Sequence, residues 1–240
     1  MLGTAKKDVS HQKGKVTVFL AGDSTVSNYT ESLAPRAGWG QMIGTFFDED
    51  VVIINAAKSG RSSKSFIEEK RLKKILRQID KGDYLFIQFG HNDQKAYDPN
   101  RYTDPHTTYK SYLKNYIDGA RKKKAIPVLV TSVERRFFLK DGVAGNSHGD
   151  YQKAMIELGK EENVPVIDLA SNSRTLFNKL GPEKTKELFL WLEPGESENF
   201  PDGIQDDVHF KEHGAREIAR LVVEGIRELN LEPLSTHIKK

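Results

Sequence analysis

The chain has 240 residues, of which 37% are hydrophobic and 30% are charged, and it contains no cysteine. A chain of this length can fold as one domain, here 1–240, that buries roughly 70–75% of its unfolded surface and needs no disulfide or metal ion for stability. The lack of thiols excludes a disulfide framework, thiolate metal sites and a cysteine nucleophile. Thirty-seven Lys and Arg against 34 Asp and Glu give a net charge of +3, too small to attract a nucleic acid by charge alone.

The amino terminus carries cations, but no apolar run long enough for a signal peptide or a membrane span follows them. The first apolar run covers only residues 16–21. We therefore expect a flexible stretch at 1–14, no membrane association and a cytoplasmic protein. A mature secreted chain that was given a new initiator Met would show the same features, and the sequence does not define an oligomeric state.

Short β-branched or aromatic runs alternate with longer charged segments of helical period, which is typical of strand–helix–strand units. The predicted strands are 16–21, 51–55, 84–89, 127–131 and 165–168, and the predicted helices are 39–47, 65–80, 107–124, 149–163 and 212–229. Because most of these strands are apolar throughout, we expect a parallel sheet with helices on both faces. The segment 181–207, which contains several Pro and Gly, is predicted to be a long loop or lid.

Polar segments follow the first three predicted strands, at the sheet edge where α/β proteins bind ligands. They are Gly22-Asp23-Ser24-Thr25, Asn55 to Arg61 and Gly90-His91-Asn92-Asp93, and a fourth segment, Asp206-Asp207-Val208-His209, precedes the last helix. Together they contain a hydroxyl, glycines, a carboxamide and a carboxylate near an imidazole. These are the groups that acyl transfer requires.

A serine attacks an ester only if an imidazole removes its proton, and the imidazole needs a carboxylate to hold its tautomer. Ser24, His209 and Asp206 can fill these three roles. The tetrahedral intermediate also needs oxyanion donors, each worth roughly 3–4 kcal/mol. The candidates are the backbone N–H groups of Ser24 and Gly60 and the side-chain amide of Asn92.

In this order, the four segments resemble the four blocks of the SGNH hydrolases, also called GDSL esterases. Within that superfamily the chain is similar to the rhamnogalacturonan acetylesterases, through residues 21–26, Gly38-Trp39-Gly40, 57–63 and 90–93. The resemblance implies a three-layer α/β/α sandwich with a central, mainly five-stranded parallel sheet of the flavodoxin-like type. It implies removal of acetyl groups from a plant cell-wall polysaccharide or its oligosaccharides, most specifically rhamnogalacturonan, through an acetyl-enzyme and without cofactor or metal. It also favours Asp206 over Asp207 as the acid, because the superfamily places the acid three residues before the histidine.

Three side chains are further candidates for substrate binding. Trp39 either packs in the core or stacks beneath a sugar ring. Arg36 and Arg61 either form surface salt bridges or pair with the uronate carboxylates of a pectic backbone, since a guanidinium suits bidentate carboxylate binding.

The sequence is also compatible with functions of other kinds. His209-Phe210-Lys211-Glu212-His213 matches H-x-x-E-H, a pattern in which two histidines on one helix bind zinc and which would make the protein a metallohydrolase. Gly203 and the two aspartates instead predict that His209 lies in the loop before the helix. The chain could also be an esterase or lipase-like hydrolase for another acetylated sugar or small ester, or a non-catalytic carbohydrate-binding protein.

Overall fold

The computed structural model describes residues 15–239, so the predicted flexible stretch at 1–14 lies outside the described residues. The strands are β1 (Val16–Gly22), β2 (Arg36–Ala37), β3 (Val51–Asn55), β4 (Tyr84–Gln88), β5 (Ile126–Val130), β6 (Val166–Ile167), β7 (Phe189–Leu192) and β8 (Ile204–Lys211). The α-helices are α1 (Trp39–Met42), α2 (Ser63–Glu68), α3 (Arg71–Ile75), α4 (Lys110–Lys122), α5 (Asp150–Glu161), α6 (Leu169–Thr185) and α7 (Glu212–Glu228).

Five strands form the predicted parallel sheet, in the order β3-β1-β4-β5-β6. Numbered among themselves along the chain, these strands have the order 2-1-3-4-5, which is the flavodoxin-like arrangement. Every residue of β1 and β4, near the middle of the sheet, is buried. The predicted α/β fold class and the five strands are therefore confirmed, each within one or two residues at its ends.

The helices cover the sheet on both faces. Val18 and Leu20 of β1 belong to one apolar cluster and Phe19 and Ala21 to another, because successive side chains of a strand point to opposite faces. The first cluster includes the buried stripe of α7, and the second includes side chains from α2 to α5. None of the described helices has the length and apolarity that spanning a bilayer would require.

Two helical segments differ from the sequence expectation. The predicted helix 65–80 is divided into α2 and α3, because Lys70 adopts a left-handed conformation with φ of 60°. Helix α6 was not predicted. It begins at Asp168, whose carboxylate accepts a hydrogen bond from the backbone N–H of Ser171, so a capping signal was present but the apolar period that follows is weak.

A second, antiparallel sheet has the order β2-β8-β7. The segment 181–207, expected to be a loop or lid, holds all of β7 and the beginning of β8, and its prolines and glycines are concentrated in the connection between these strands. His209, expected in a loop before the last helix, lies within β8. This small sheet joins the core through Phe189 and Phe210, which are both buried.

Candidate active site

Ser24 lies in a tight turn directly after β1. One carboxylate oxygen of Asp23 accepts hydrogen bonds from the backbone N–H of Thr25 at 2.9 Å and from its hydroxyl at 2.8 Å. The backbone carbonyl of Asp23 accepts the N–H of Ser27 at 3.1 Å. These bonds fix the backbone of the turn on both sides of Ser24, at the carboxyl edge of the sheet.

Asp206 and His209 form a hydrogen-bonded pair on β8. The second carboxylate oxygen of Asp206 lies 2.7 Å from His209 Nδ1, and the first accepts the backbone N–H groups of Val208 at 2.8 Å and His209 at 2.9 Å. Burial alone would raise the pKa of Asp206, but these contacts outweigh it and lower the pKa to about 2. A charged carboxylate on Nδ1 requires Nδ1 to carry the proton, which leaves Nε2 free to accept one.

An irregularity in the small sheet brings this pair onto one side of β8. Leu190 pairs with Asp206 and Phe189 pairs with Phe210, so β7 advances by one residue where β8 advances by four. Side chains three residues apart on a regular strand point to opposite faces. The bulge from Asp207 to His209 removes that restriction and allows the imidazole to fold back onto Asp206.

Arg36 and Tyr29 connect this pair to the Ser24 turn. Arg36 Nη2 lies 3.3 Å from the same Asp206 oxygen that contacts His209, and its guanidinium lies over the Tyr29 ring at 5.6 Å. The Tyr29 hydroxyl donates to the backbone carbonyl of Ser24 at 2.8 Å. Burial raises the pKa of Tyr29 to about 12, so this hydroxyl remains a donor. The two parts of the predicted triad are therefore linked through an arginine and a tyrosine.

Ser24 and His209 are not hydrogen-bonded to each other in the part of the chain that the structure describes. Ser24 is buried, with 6% of the residue exposed. Catalytic hydrogen bonds in ligand-free enzymes are often long and shorten when substrate binds.

The predicted oxyanion donors lie in the segments that follow β1, β3 and β4. Gly60 has φ of +78°, a left-handed conformation that favours glycine, while a Cβ at this position would find only Arg101 nearby, at 3.8 Å. Within residues 15–239, the backbone N–H groups of Ser24 and Gly60 have no hydrogen-bond partner. Asn92 donates one amide hydrogen to the Arg61 carbonyl at 3.1 Å, and the second amide hydrogen remains available.

Asp93, which was not predicted to have a role, connects the loop that contains Gly60 to the loop that contains Asn92. Its buried carboxylate accepts hydrogen bonds from the backbone N–H and hydroxyl of Ser63 and from the hydroxyl of Thr103. Burial raises the pKa of Asp93 to about 7, against the lowering effect of these donors. Because Asp93 adjoins Asn92 and Ser63 begins α2 just after Gly60, the carboxyl group holds two oxyanion candidates in a fixed relation.

A buried group of polar side chains lies behind the nucleophile turn. His91 Nδ1 is 3.4 Å from the Asp23 carboxylate, and the His91 and His148 rings make an edge contact with centroids 4.5 Å apart. Burial lowers the pKa of His91, so this imidazole is neutral near neutral pH. His91 therefore packs behind the turn. His209 instead makes the hydrogen bond to a carboxylate, at 2.7 Å, that a general base needs.

The three predicted substrate-binding side chains occupy different environments. Trp39 is 1% exposed, and its indole N–H donates to Gln88 at 2.7 Å. This position corrects the expectation that Trp39 stacks beneath a sugar ring, because both faces of the ring are packed in the core. Arg36 contacts Asp206, as described above, and Arg61 lies at the surface beside Gly60, where its Nε binds Glu69 at 2.8 Å.

The residues of the H-x-x-E-H pattern do not share a helix. His209 lies in β8, whereas Glu212 and His213 lie at the start of α7. Among residues 15–239, the group of His, Asp and Glu side chains with ligand atoms close together is Asp48, Asp50 and His237, which contains neither histidine of the pattern.

Asp207 has partners of its own, separate from the triad candidates. Its carboxylate accepts the Trp191 indole N–H at 2.9 Å and a hydrogen bond from Arg136 at 3.1 Å. Arg136 also lies over the Trp191 ring at 4.8 Å. The two neighbouring aspartates therefore point to different partners, which agrees with the choice of Asp206 as the acid.

The chain is similar in sequence to known proteins. The sequence model of the GDSL-like lipase/acylhydrolase family matches residues 20–217. The chain is 51% identical to the rhamnogalacturonan acetylesterase RhgT of Bacillus subtilis, over 94% of this chain and 95% of that protein. It is 47% identical to the probable rhamnogalacturonan acetylesterase YesY of the same organism, over 93% of this chain and 97% of that protein.

Solved structures give the same fold. The crystal structure of the Bacillus subtilis protein YxiM superposes with a TM-score of 0.78 at 28% identity, over 91% of this chain and 58% of that one. The acetylxylan esterase Axe2 of Geobacillus stearothermophilus has a TM-score of 0.62 at 15% identity, over 90% of this chain and 96% of that one. The resemblance found in the sequence segments is thereby confirmed.

Proposed function

Because the chain belongs to the GDSL-like lipase/acylhydrolase family, we propose that it is a serine esterase that removes acetyl groups from rhamnogalacturonan or its oligosaccharides. It is a carboxylic ester hydrolase, and the substrate follows from the activity for which two relatives are named, both of which match it over nearly their whole length. Ser24 is the proposed nucleophile, His209 the base and Asp206 the acid that orients the base.

The reaction begins when the Ser24 hydroxyl attacks the acetyl carbonyl carbon and His209 Nε2 takes the hydroxyl proton. The carbonyl oxygen becomes an oxyanion, which accepts hydrogen bonds from the Ser24 and Gly60 N–H groups and from Asn92. The intermediate then expels the sugar oxygen, which takes the proton from His209 Nε2 and leaves as an alcohol.

The acetyl group now forms an ester with Ser24. A water molecule gives a proton to His209 Nε2 and attacks this ester at the carbonyl carbon. A second oxyanion collapses, acetic acid leaves and ionises to acetate in water, and the proton on His209 returns to the Ser24 oxygen. Asp206 remains charged throughout, because its contacts lower its pKa to about 2.

The observation that carries the proposal is the Asp206–His209 pair, with Nδ1 on the carboxylate and Nε2 free, joined through Arg36 and Tyr29 to the Ser24 turn. The unpaired N–H groups of Ser24 and Gly60 supply the other requirement of acyl transfer. A carbohydrate-binding protein without catalytic activity would need neither of these arrangements.

The test is acetate release from acetylated rhamnogalacturonan oligosaccharides, compared with acetylated xylan and 4-nitrophenyl acetate. We expect the highest kcat/KM on the rhamnogalacturonan substrate. A preference for xylan would overturn the substrate assignment and leave the serine mechanism in place. No activity on any of the three esters would overturn both.

The response to a chelator separates the triad from a zinc-dependent mechanism. EDTA should leave the esterase activity unchanged. Stoichiometric zinc in the purified protein together with loss of activity in EDTA would favour the metallohydrolase.

A cytoplasmic location stays a prediction, and so does the absence of nucleic-acid and membrane partners. Cell fractionation followed by immunodetection tests the location directly. Recovery of the protein mainly from the culture medium would contradict it.

A further inference from the structure

A cavity of about 300 Å³ opens beside Gly60 on the edge of the sheet that carries Ser24. Its wall includes Arg61, Arg101, Glu69 and Asp98. Small-molecule sites begin at roughly this volume, so the cavity has room for one sugar residue. Since Gly60 is a proposed oxyanion donor, a sugar in the cavity would lie next to the ester that is cleaved.

Two arginines in the wall are held in place by carboxylates. Arg61 Nε contacts both oxygens of Glu69, at 2.8 and 3.0 Å, and its Nη1 donates to the Ser59 carbonyl. Arg101 Nε binds Asp98, and its Nη1 lies 3.5 Å from the Gly60 carbonyl. In the described chain, Nη2 of each guanidinium has no hydrogen-bond partner. The two side chains are therefore oriented and each keeps a free donor.

The charged side chains in the wall of the cavity form two ion pairs. The hydrogen bond from Arg61 holds the pKa of Glu69 below its usual value, and the one from Arg101 does the same for Asp98. Each carboxylate is therefore charged and neutralises one arginine. The donors that remain for a ligand are therefore the free Nη2 atoms of Arg61 and Arg101.

We propose that this cavity binds a uronic acid residue of the acetylated chain, with its carboxylate on the free nitrogens of Arg61 and Arg101. A carboxylate accepts charge-assisted hydrogen bonds from guanidinium groups, and the sugar hydroxyls can donate to Glu69 and Asp98. This assignment rests on the proposed function, which supplies an acetylated pectic chain as substrate. It adds Arg101, which sequence analysis did not single out, as a residue that determines specificity.

Three variants test the assignment, Arg101→Gln, Arg61→Gln and the control Arg71→Gln. Arg71 also binds Glu69, at 2.6 Å, but it does not line the cavity. Each variant is assayed on acetylated rhamnogalacturonan oligosaccharides and on the same oligosaccharides after chemical reduction of their carboxyl groups. Thermal unfolding confirms that each variant is folded.

We expect the two cavity variants to lower kcat/KM on the uronate substrate by roughly 10- to 100-fold, mainly through KM, because a charged hydrogen bond is lost. The ratio of kcat/KM between the uronate and the reduced substrate should fall by the same factor. Arg71→Gln should leave this ratio at the wild-type value. A cavity variant whose ratio equals that of wild type would overturn the assignment.

A competition experiment separates this inference from the proposed function. An unacetylated rhamnogalacturonan fragment should inhibit hydrolysis of 4-nitrophenyl acetate by the wild type, and about tenfold more of it should be needed for Arg101→Gln. If the wild type releases no acetate from rhamnogalacturonan but shows this inhibition, the proposed substrate fails and the uronate cavity stands. If the wild type releases acetate but the fragment inhibits both proteins equally, the cavity assignment fails and the function stands.

Discussion

The two sheets of this molecule contribute to the site in different ways. The parallel sheet supplies the proposed nucleophile and oxyanion donors from the loops that follow β1, β3 and β4. The small antiparallel sheet supplies the proposed acid and base, Asp206 and His209, from within β8. In the first case the fold brings the loops together, because the carboxyl ends of parallel strands share one edge. In the second case a local irregularity of pairing brings the two side chains together.

This difference indicates which part of the site substitutions would disturb more easily. The loops of the parallel sheet are tied to neighbouring strands, as when Lys58 N–H donates to the Gly22 carbonyl at 3.0 Å. The acid and base depend instead on the β8 bulge and on the short pairing of β2 with β8, where Ala37 opposes Phe210. Substitutions in the small sheet should therefore alter the chemistry while the large sheet stays folded.

The largest expected effect comes from removing one reactive group from each sheet. We predict that Ser24→Ala and His209→Ala each lower kcat on 4-nitrophenyl acetate by roughly 10⁴-fold or more, and that the double variant loses no more than either alone. Groups that act as one unit behave in this non-additive way. Losses that multiply in the double variant would show that the two sheets act independently.

Two substitutions of Asp206 distinguish its structural role in the bulge from its electrostatic role toward His209. Asn at this position keeps an oxygen for the backbone N–H groups of Val208 and His209, but its NH₂ group faces His209 Nδ1 and favours the wrong tautomer. We predict that Asp206→Asn lowers kcat by about 10³- to 10⁴-fold with little change in Tm. Asp206→Ala loses both roles and should also unfold at a lower temperature. Equal Tm values for the two variants would contradict a structural role for the carboxylate oxygen.

The sequence predicted the parallel sheet well because each strand is an apolar run with a polar turn after it, and both signals are local. The same kind of local signal identified Ser24, Gly60 and Asn92, which lie in the polar segments that follow strands. The small sheet was missed because β2 has two residues and β7 four, and their pairing depends on contacts distant in sequence. Asp206 and His209 were found as a carboxylate near an imidazole, and the resemblance favoured Asp206 over Asp207. The bulge that brings them together has no sequence signal.

Arg36 lies at the junction of the two sheets and so tests how they are coupled. We predict that Arg36→Gln lowers kcat on 4-nitrophenyl acetate by about tenfold, because Asp206 loses a charged neighbour and the link through Tyr29 is broken. Arg220→Gln, which removes a surface ion pair with Glu217 on α7, is the matched control and should behave as wild type. An increase in KM confined to polysaccharide substrates would instead support the substrate-binding role predicted for Arg36 from the sequence.

The smallest expected effect concerns stability on the side of the parallel sheet. Burial raises the pKa of Asp93 from 3.8 to about 7 in the folded protein. Between these values the folded state keeps a proton that the unfolded state has lost, so the free energy of unfolding falls as pH rises. Asn carries no such proton. We therefore predict that the Tm of Asp93→Asn falls less over this pH range than the Tm of the wild type, by several degrees.

Asp104→Asn is the control for this last experiment. The hydrogen bond from Thr107 lowers the pKa of Asp104, so its contribution to stability is complete above 3.8 and constant toward neutral pH. Its Tm profile should therefore run parallel to that of the wild type in this range, while the Asp93→Asn profile should not. If all three profiles ran parallel, the carboxyl group of Asp93 would titrate as it does in the unfolded chain, and the loops of Gly60 and Asn92 would be joined by a carboxylate that stays charged. Asp93 would then cause no loss of stability as the pH rises through this range.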